Sequence, residues 1–375
     1  MKSGKGYVSN DLIQGHQLMA LVFLSRLVPI TVTFPSITGI SVPQNGWVVM
    51  LISTLGAIPV ALWIVWLSQG FPKQTIVEYS EILLGRIAGK ALSLGLILYL
   101  LAVASVTARQ VGEAYVTAIM PETPVVVFMG VMAFLSANAA YNGVEVVGRL
   151  AESLFWIVLV VILVVLFLPI NAMRAENLQP VLPSGLASVV REAATAWIIY
   201  LEMIVMAMMI PFLTRPSDAK RFSLLAVGGI GLVGISFAAV LVAVFGVLTP
   251  TLTLPAFSLG RIISIGDFLE RIEVIPMGIW TVSAAVKMAC FLWAGAVALA
   301  QVCGLRRYQP LVYPLSVLSV SLGILFFDDI MEMESLSAPG KSGLCIMVIV
   351  LGFMTVLTVA RLFKGDRIKE GGGNA

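Results

Sequence analysis

The sequence predicts an all-α integral membrane protein of about ten transmembrane helices, arranged as two halves of five. Three observations carry this. First, 59% of the 375 residues are hydrophobic and 11% are charged, with a mean hydropathy of +1.01; soluble domains carry about a quarter charged residues. Second, apolar stretches of bilayer-crossing length recur along the chain without a long polar linker. Third, a polar interruption falls at corresponding places in the first and sixth stretches. The same composition excludes other classes. The net charge of +3 is small and scattered, so a nucleic-acid partner has no support. Cys290, Cys303 and Cys345 form no CxxC pair and do not read as a disulfide framework.

The elements follow in order. After Lys2 and Lys5, Asn10 and Asp11 can cap a helix starting near Leu12. This first apolar run lacks a small-residue cleavage site, so it reads as a retained span. Pro29, Pro35 and Gly39 punctuate its second half, and a broken first span is expected. Span two runs over 47–68 and opens on an interfacial Trp47. The amphipathic stretch QGFPKQTIVEYSEILLGRIAGK predicts a short interfacial helix. Span three covers 91–119 with Arg109 and Glu113 inside it, and spans four and five cover 125–140 and 150–169. Pro180 and Pro183 mark 174–188 as a loop. Span six, 189–212, carries Glu202 near its middle, and span seven is 222–248. A surface helix is expected before span eight, 276–302; spans nine and ten are 311–327 and 344–362. The chain is read as one bundle over 1–365, with repeat one about 12–170, repeat two about 189–363, and a disordered cytoplasmic tail over 366–375. With the N-terminus inside, fifteen lysines and arginines fall on inner segments and five on outer ones. That satisfies the positive-inside rule with both termini cytoplasmic.

The paired interruptions are Ser25-Arg26-Leu27 in span one and Tyr200-Leu201-Glu202 in span six. Such a pair points to the midplane site of an inverted-repeat, transporter-like fold. Span six has no glycine or proline at its centre, so its unwinding is inferred from symmetry alone. Five ionisable residues fall at membrane depth: Arg26, Arg109, Glu113, Glu202 and Lys287. A charge at the centre of a span costs about 2.5–3.5 kcal/mol on insertion scales, so each needs a partner or a wet cavity. Glu273, Trp280 and Lys287 lie seven apart and share one stripe of span eight. Lys287 either serves a site there or holds helices together through a carbonyl or carboxylate. Arg109 and Glu113, four apart, read as a structural pair on one helix. Glu202 has no cation three or four residues away; it needs Arg26 or Lys287 from another span, a proton, or a bound amine. Arg26 either pairs with Glu202 or meets a ligand carboxylate through its guanidinium fork.

Other features read as structural. His16, near the inner end of the first helix, reads as a satisfied surface group. Gly229, Gly231 and Gly234 spell GxGxxG, but inside an apolar span with no strand before it. They read as close helix packing rather than a nucleotide loop. Met203, Met206, Met208 and Met209 read as adaptable packing rather than a metal site. With no nucleophile–base pair and no metal-ligand spacing, neither a cofactor nor enzymatic chemistry is expected.

Glu270-Arg271-Ile272-Glu273, followed by Ile279-Trp280 and Lys287, resembles the spore germination protein AB family, the B subunits of nutrient germinant receptors in endospore-forming bacteria. The opening VSNDLIQGHQLMALV, the arrangement from Pro35 to Trp47, and YLEMIVMAMMIPFL agree with it. The resemblance covers the whole chain and implies ten helices of the amino acid–polyamine–organocation superfamily. It also implies a pocket between spans one, three, six and eight for an amino acid or similar small nutrient. Its walls would be Ser25, Arg26, Leu27, Tyr99, Val103, Tyr200, Leu201, Glu202, Trp280 and Ser283, with Arg109, Glu113, Glu273 and Lys287 as a charge network. The implied partners are an A-type membrane subunit and a C-type lipoprotein in the spore inner membrane. One departure matters: Ser25 followed by Arg26 stands where a small residue, often glycine, is expected at the first-span break, so the guanidinium supplements or replaces bare backbone amides. The competing expectation is a permease of the same superfamily, coupling an amino acid to protons or cations.

Overall fold

In hydrocarbon every backbone polar group must be paired internally, so a chain this apolar is driven to helices. The computed structural model describes residues 11–32, 42–262, 274–327 and 341–371. The first half contains α1 (Gly15–Val32), α2 (Gly46–Gln69), α3 (Ile76–Leu84), α4 (Arg86–Ala118), α5 (Val125–Tyr141) and α6 (Val144–Phe167). The second half begins with a segmented span: α7 (Leu186–Ala196), α8 (Ile198–Leu201), a 3-10 turn over Glu202–Val205, and α9 (Met206–Met209). It continues with α10 (Asp218–Phe245), α11 (Pro255–Ile262), α12 (Val274–Cys303), α13 (Gln309–Leu325) and α14 (Lys341–Gly371). Six of the described helical stretches are long and apolar enough to cross a membrane, and three shorter ones are also apolar. With α1 they make up the ten expected spans. The expected interfacial and surface helices are α3 and α11. Helix α14 continues to Gly371, into the segment read as a tail.

Counterpart helices of the two halves pack on one another: α2 on α10, α4 on α12 and α5 on α13. Helix α12 lies at the centre, with 83% of its apolar stretch buried, whereas α6 has 33% buried and leaves most of its surface exposed. Helix α1 threads between α6, α10 and α12. At the end of α2, Thr75 caps α3 by a reciprocal capping box with Glu78. The Glu78 carboxylate accepts the Thr75 N–H at 2.9 Å.

Two expectations about the first span are corrected. The helix begins at Gly15 rather than near Leu12, because the preceding residues are extended and strapped to the end of the sixth span. The Ile13 N–H donates to the Phe212 carbonyl at 2.9 Å, and the Thr214 N–H donates to the Ile13 carbonyl at 2.9 Å. Ser25-Arg26-Leu27 is also no interruption: α1 runs through all three, with Pro29 inside the helix. The Ser25 hydroxyl donates to the Val22 carbonyl at 2.9 Å, within its own helix. Packing against three neighbours holds α1 together despite the missing proline N–H. The expected breakers Pro35 and Gly39 fall in 33–41, which lies outside the described residues, as does Glu273.

The sixth span tightens instead of unwinding. Trp197 (φ −62°, ψ −26°) and Glu202 (φ −61°, ψ −14°) keep right-handed helical angles. The local shift from α to 3-10 geometry rearranges which carbonyls are used within the helix.

The glycine run of α10 is a packing device. A Cβ on Gly231 would sit 2.1 Å from Thr54 Cγ2, and one on Gly234 would sit 2.5 Å from Met50 Cε. Gly228, one residue from the seam, has nothing within 4 Å. Gly231→Ala is therefore expected to lower stability by about 1–3 kcal/mol through overpacking. Gly228→Ala should be neutral or stabilising, since alanine is the better helix former. Thermal unfolding of the two purified variants checks this; equal midpoints would show that the α2–α10 seam yields freely.

Candidate functional site

The 3-10 turn in the sixth span projects Glu202 toward α1 and α12, where two buried cations meet it. The Arg26 guanidinium forms an ion pair with Glu202 Oε2. Its other terminal nitrogen, Nη1, donates to the Ile199 carbonyl at 2.7 Å. From α12, Lys287 Nζ lies 3.1 Å from Glu202 Oε2 and 3.4 Å from Oε1. Arg26 is 1% exposed and Lys287 2%, so neither cation snorkels to water. Among the described residues, no second carboxylate reaches this cluster. Two cations share one carboxylate, and the buried group carries an excess of positive charge. Taking ions out of water costs several kcal/mol each, which only close pairing offsets. The Phe291 ring, its centroid 6.0 Å from the Arg26 Cζ, completes that side of the guanidinium.

The other sequence-predicted residues divide. Tyr99 is buried, its hydroxyl has no hydrogen-bond partner among the described residues, and it lies close enough to Glu202 and Arg26 to feel both charges. Tyr200 turns to α2, where its hydroxyl meets Thr54 Oγ1 at 2.9 Å, and Leu201 is buried in the core. The Ser283 hydroxyl is used within its own helix, donating to the Ile279 carbonyl at 2.9 Å. Val103 contributes its carbonyl to Thr107 Oγ1 at 2.7 Å. Trp280 is 4% exposed, and its indole N–H is unpaired among the described residues. Arg109 and Glu113 pair at 2.5 Å on α4, apart from the cluster.

Depth separates Trp280 from Tyr99. Thr281 Oγ1 meets the Tyr115 hydroxyl at 3.0 Å, and a Cβ on Gly295 would face Leu100 at 3.9 Å. These contacts fix the antiparallel register of α4 and α12. Trp280 therefore sits at the level of Tyr115, about 24 Å along α4 from Tyr99 at a rise of 1.5 Å per residue. The two do not wall one small pocket. Trp280 and Leu27 instead border a cavity of about 40 Å³, beside a second of about 20 Å³ that also touches Trp280. Both fall far short of the roughly 300–1,000 Å³ of a drug-sized ligand site, and neither is lined by Arg26, Glu202 or Lys287.

Sequence reasoning missed the Ile199 carbonyl, Phe291 and Thr54. Phe291 was findable, four residues after Lys287 and so on the same face. The carbonyl was not, because it depends on a backbone change without a sequence signal. His16 Nε2 lies 2.9 Å from Glu152 Oε1 at the exposed end of α1, as a surface group does. The four methionines around Glu202 are all buried, and no group of three metal-ligating side chains occurs among the described residues.

The cluster makes a quantitative expectation. Glu202→Gln leaves two buried cations without a counter-charge, at a cost of about 3–5 kcal/mol. Lys287→Met keeps the Arg26–Glu202 pair and should cost less, and the double variant should recover part of the Glu202→Gln loss. Unfolding measurements on the four proteins complete the cycle; strictly additive losses would mean that the two side chains do not interact.

The family model described as "Spore germination protein" matches residues 12–331. Spore germination protein KB of Bacillus subtilis (strain 168) is 26% identical over 302 residues, covering 77% of this chain and 80% of that protein. Among solved structures, MhsT in complex with L-phenylalanine superposes with a TM-score of 0.63 at 12% identity, covering 93% of this chain and 97% of that one. MHP1, a nucleobase-cation-symport-1 family transporter in a closed conformation with bromovinylhydantoin bound, gives a TM-score of 0.64 at 10% identity, covering 91% and 78%. At such identity the likeness is one of fold, an all-α membrane transporter-like architecture. The match over 12–331 is more specific, and this integral membrane chain belongs to the spore germination protein family.

Proposed function

We infer that the protein is the membrane subunit of a germinant receptor, binding a small nutrient, an amino acid, near the bilayer midplane and triggering germination. The observation that carries this reading is the cluster of Arg26, Lys287 and Glu202, with two buried cations to one carboxylate. A ligand carboxylate would balance the excess charge and take up the guanidinium fork, while its ammonium would face Glu202. Arg26, rather than bare N–H groups at a break, is then the anion-binding element, since α1 is continuous there. Tyr99 supplies an unused hydroxyl beside the cluster. Trp280, at another depth, belongs to the closure around Leu27 and not to the ligand's immediate shell.

Membership of the family supports the rest of the reading: a single bundle of two five-helix repeats in the spore inner membrane, working with an A-type and a C-type subunit. The charge bias supports cytoplasmic termini. Binding and signalling, with no covalent chemistry, are the activities assigned. A permease coupling an amino acid to protons or cations is the second reading, favoured by the fold likeness to a cation symporter.

The test compares an L-amino acid with its amide, in direct binding and in germination response. A charge-assisted hydrogen bond contributes about 1.5–3 kcal/mol, so the acid should bind about ten- to a hundredfold better. Arg26→Gln should abolish that preference, and Arg26→Lys should restore it only in part, because the ammonium lacks the bidentate fork. An unchanged preference in Arg26→Gln would leave Arg26 a purely structural partner of Glu202. Uptake of labelled amino acid into vesicles that depends on a proton or cation gradient would decide for the permease.

A further inference from the structure

A large cavity lies away from the charge cluster, on the outer side of α1, α6 and α10. Its volume is about 660 Å³, and Ser236 is the only polar side chain among those lining it. Phe23 of α1 and Phe155 of α6, stacked edge to face at 5.0 Å, form part of its floor. Its rim is apolar and exposed: Leu163 is 46% exposed, Phe167 66% and Leu232 67%. Both long walls lie in stretches of membrane-crossing length and apolarity.

We propose that this groove is a binding site for one acyl chain of a bilayer phospholipid. Along α10 it runs from Leu225 to Val240, about 22 Å at 1.5 Å per residue. One leaflet of hydrocarbon is about 15 Å deep, so a chain lying in the groove extends past the midplane. A volume of 660 Å³ over that length corresponds to a channel about 9 Å from wall to wall once the 1.4 Å radius of a water molecule is added on each side, narrower than a helix of about 10–12 Å with its side chains. Water has almost nothing to bond to on such walls. The occupant is therefore a flexible apolar chain, and the bilayer supplies it.

The groove also adjoins the small cavity inside the bundle. Ile162, Leu166 and Val233 line both this groove and the small cavity beside Leu27 and Trp280. A seated chain props a wall one side chain thick between the groove and that small cavity. This holds whatever ligand the charge cluster takes.

The experiment reconstitutes the full chain into nanodiscs of a phospholipid carrying a diazirine at mid-chain, followed by irradiation and peptide mapping. Labelling of 155–173 and 225–240 should exceed by several-fold that of α5 around Val131, Phe134 and Leu135, which are 57%, 60% and 57% exposed. Ala239→Phe should reduce the groove labelling several-fold and leave α5 labelling unchanged. Ser236→Leu, which adds less bulk, should do the same to a smaller extent if Ala239→Phe does not fold. Equal labelling of groove and α5 in the wild type would overturn the proposal, as would undiminished groove labelling in a folded filling variant. So would efficient disulfide crosslinking of Leu232→Cys between copies together with unlabelled groove residues, which would make this face a protein interface.

Discussion

The Glu202 carboxylate is the point on which three separately placed segments depend. It is reached by Arg26 from α1 and Lys287 from α12, and it sits where the sixth span changes from α to 3-10 geometry. Each of those side chains alone would be costly at such burial, and together they are tolerable only if the helices keep their relative positions. The interaction is therefore better understood as a constraint on arrangement than as a source of net stability. Among the described residues two cations face one carboxylate, and this is the imbalance that the proposed ligand carboxylate would offset.

The surrounding fold serves that constraint in two ways. Glycines at Gly231 and Gly234 let α10 approach α2 closely enough for Thr54 to hold Tyr200, one residue from Leu201 and two from Glu202. The extended strap at Ile13 ties the start of α1 to the end of the sixth span. The two helices that bear Arg26 and Glu202 are thus linked by backbone at one end and by charge in the middle. Any opening of the midspan must break one of these links, which identifies the elements that a ligand-driven change would work against.

Much of this was legible in the amino-acid sequence, for physical reasons. Membrane-crossing length and apolarity are strong signals, so most spans lie within a few residues of the expected positions. Buried charges are rare enough to single out Arg26, Glu202 and Lys287, and their chemistry already required that they find one another. The misreadings came from features that tertiary packing overrides. Pro29 suggested a break, yet α1 continues through it because three helices enclose it. Tyr200-Leu201-Glu202 suggested unwinding, yet the backbone only tightens, and the Ile199 carbonyl this presents to Arg26 has no marker in sequence. Tyr99 and Trp280 were expected to share a pocket, but helix register decides depth, and only the contacts of Tyr115 and Leu100 with α12 reveal it.

The most direct test of the charge cluster as an unfinished anion site is a high-resolution structure of the protein in a lipid bilayer with a bound L-amino acid. The ligand carboxylate should lie about 2.7–2.9 Å from a nitrogen of Arg26 or Lys287, the range of charge-assisted pairs, with Glu202 drawn toward the ligand ammonium. A ligand bound elsewhere, with the Arg26–Glu202–Lys287 contacts unchanged, would contradict it and leave the cluster a purely structural joint.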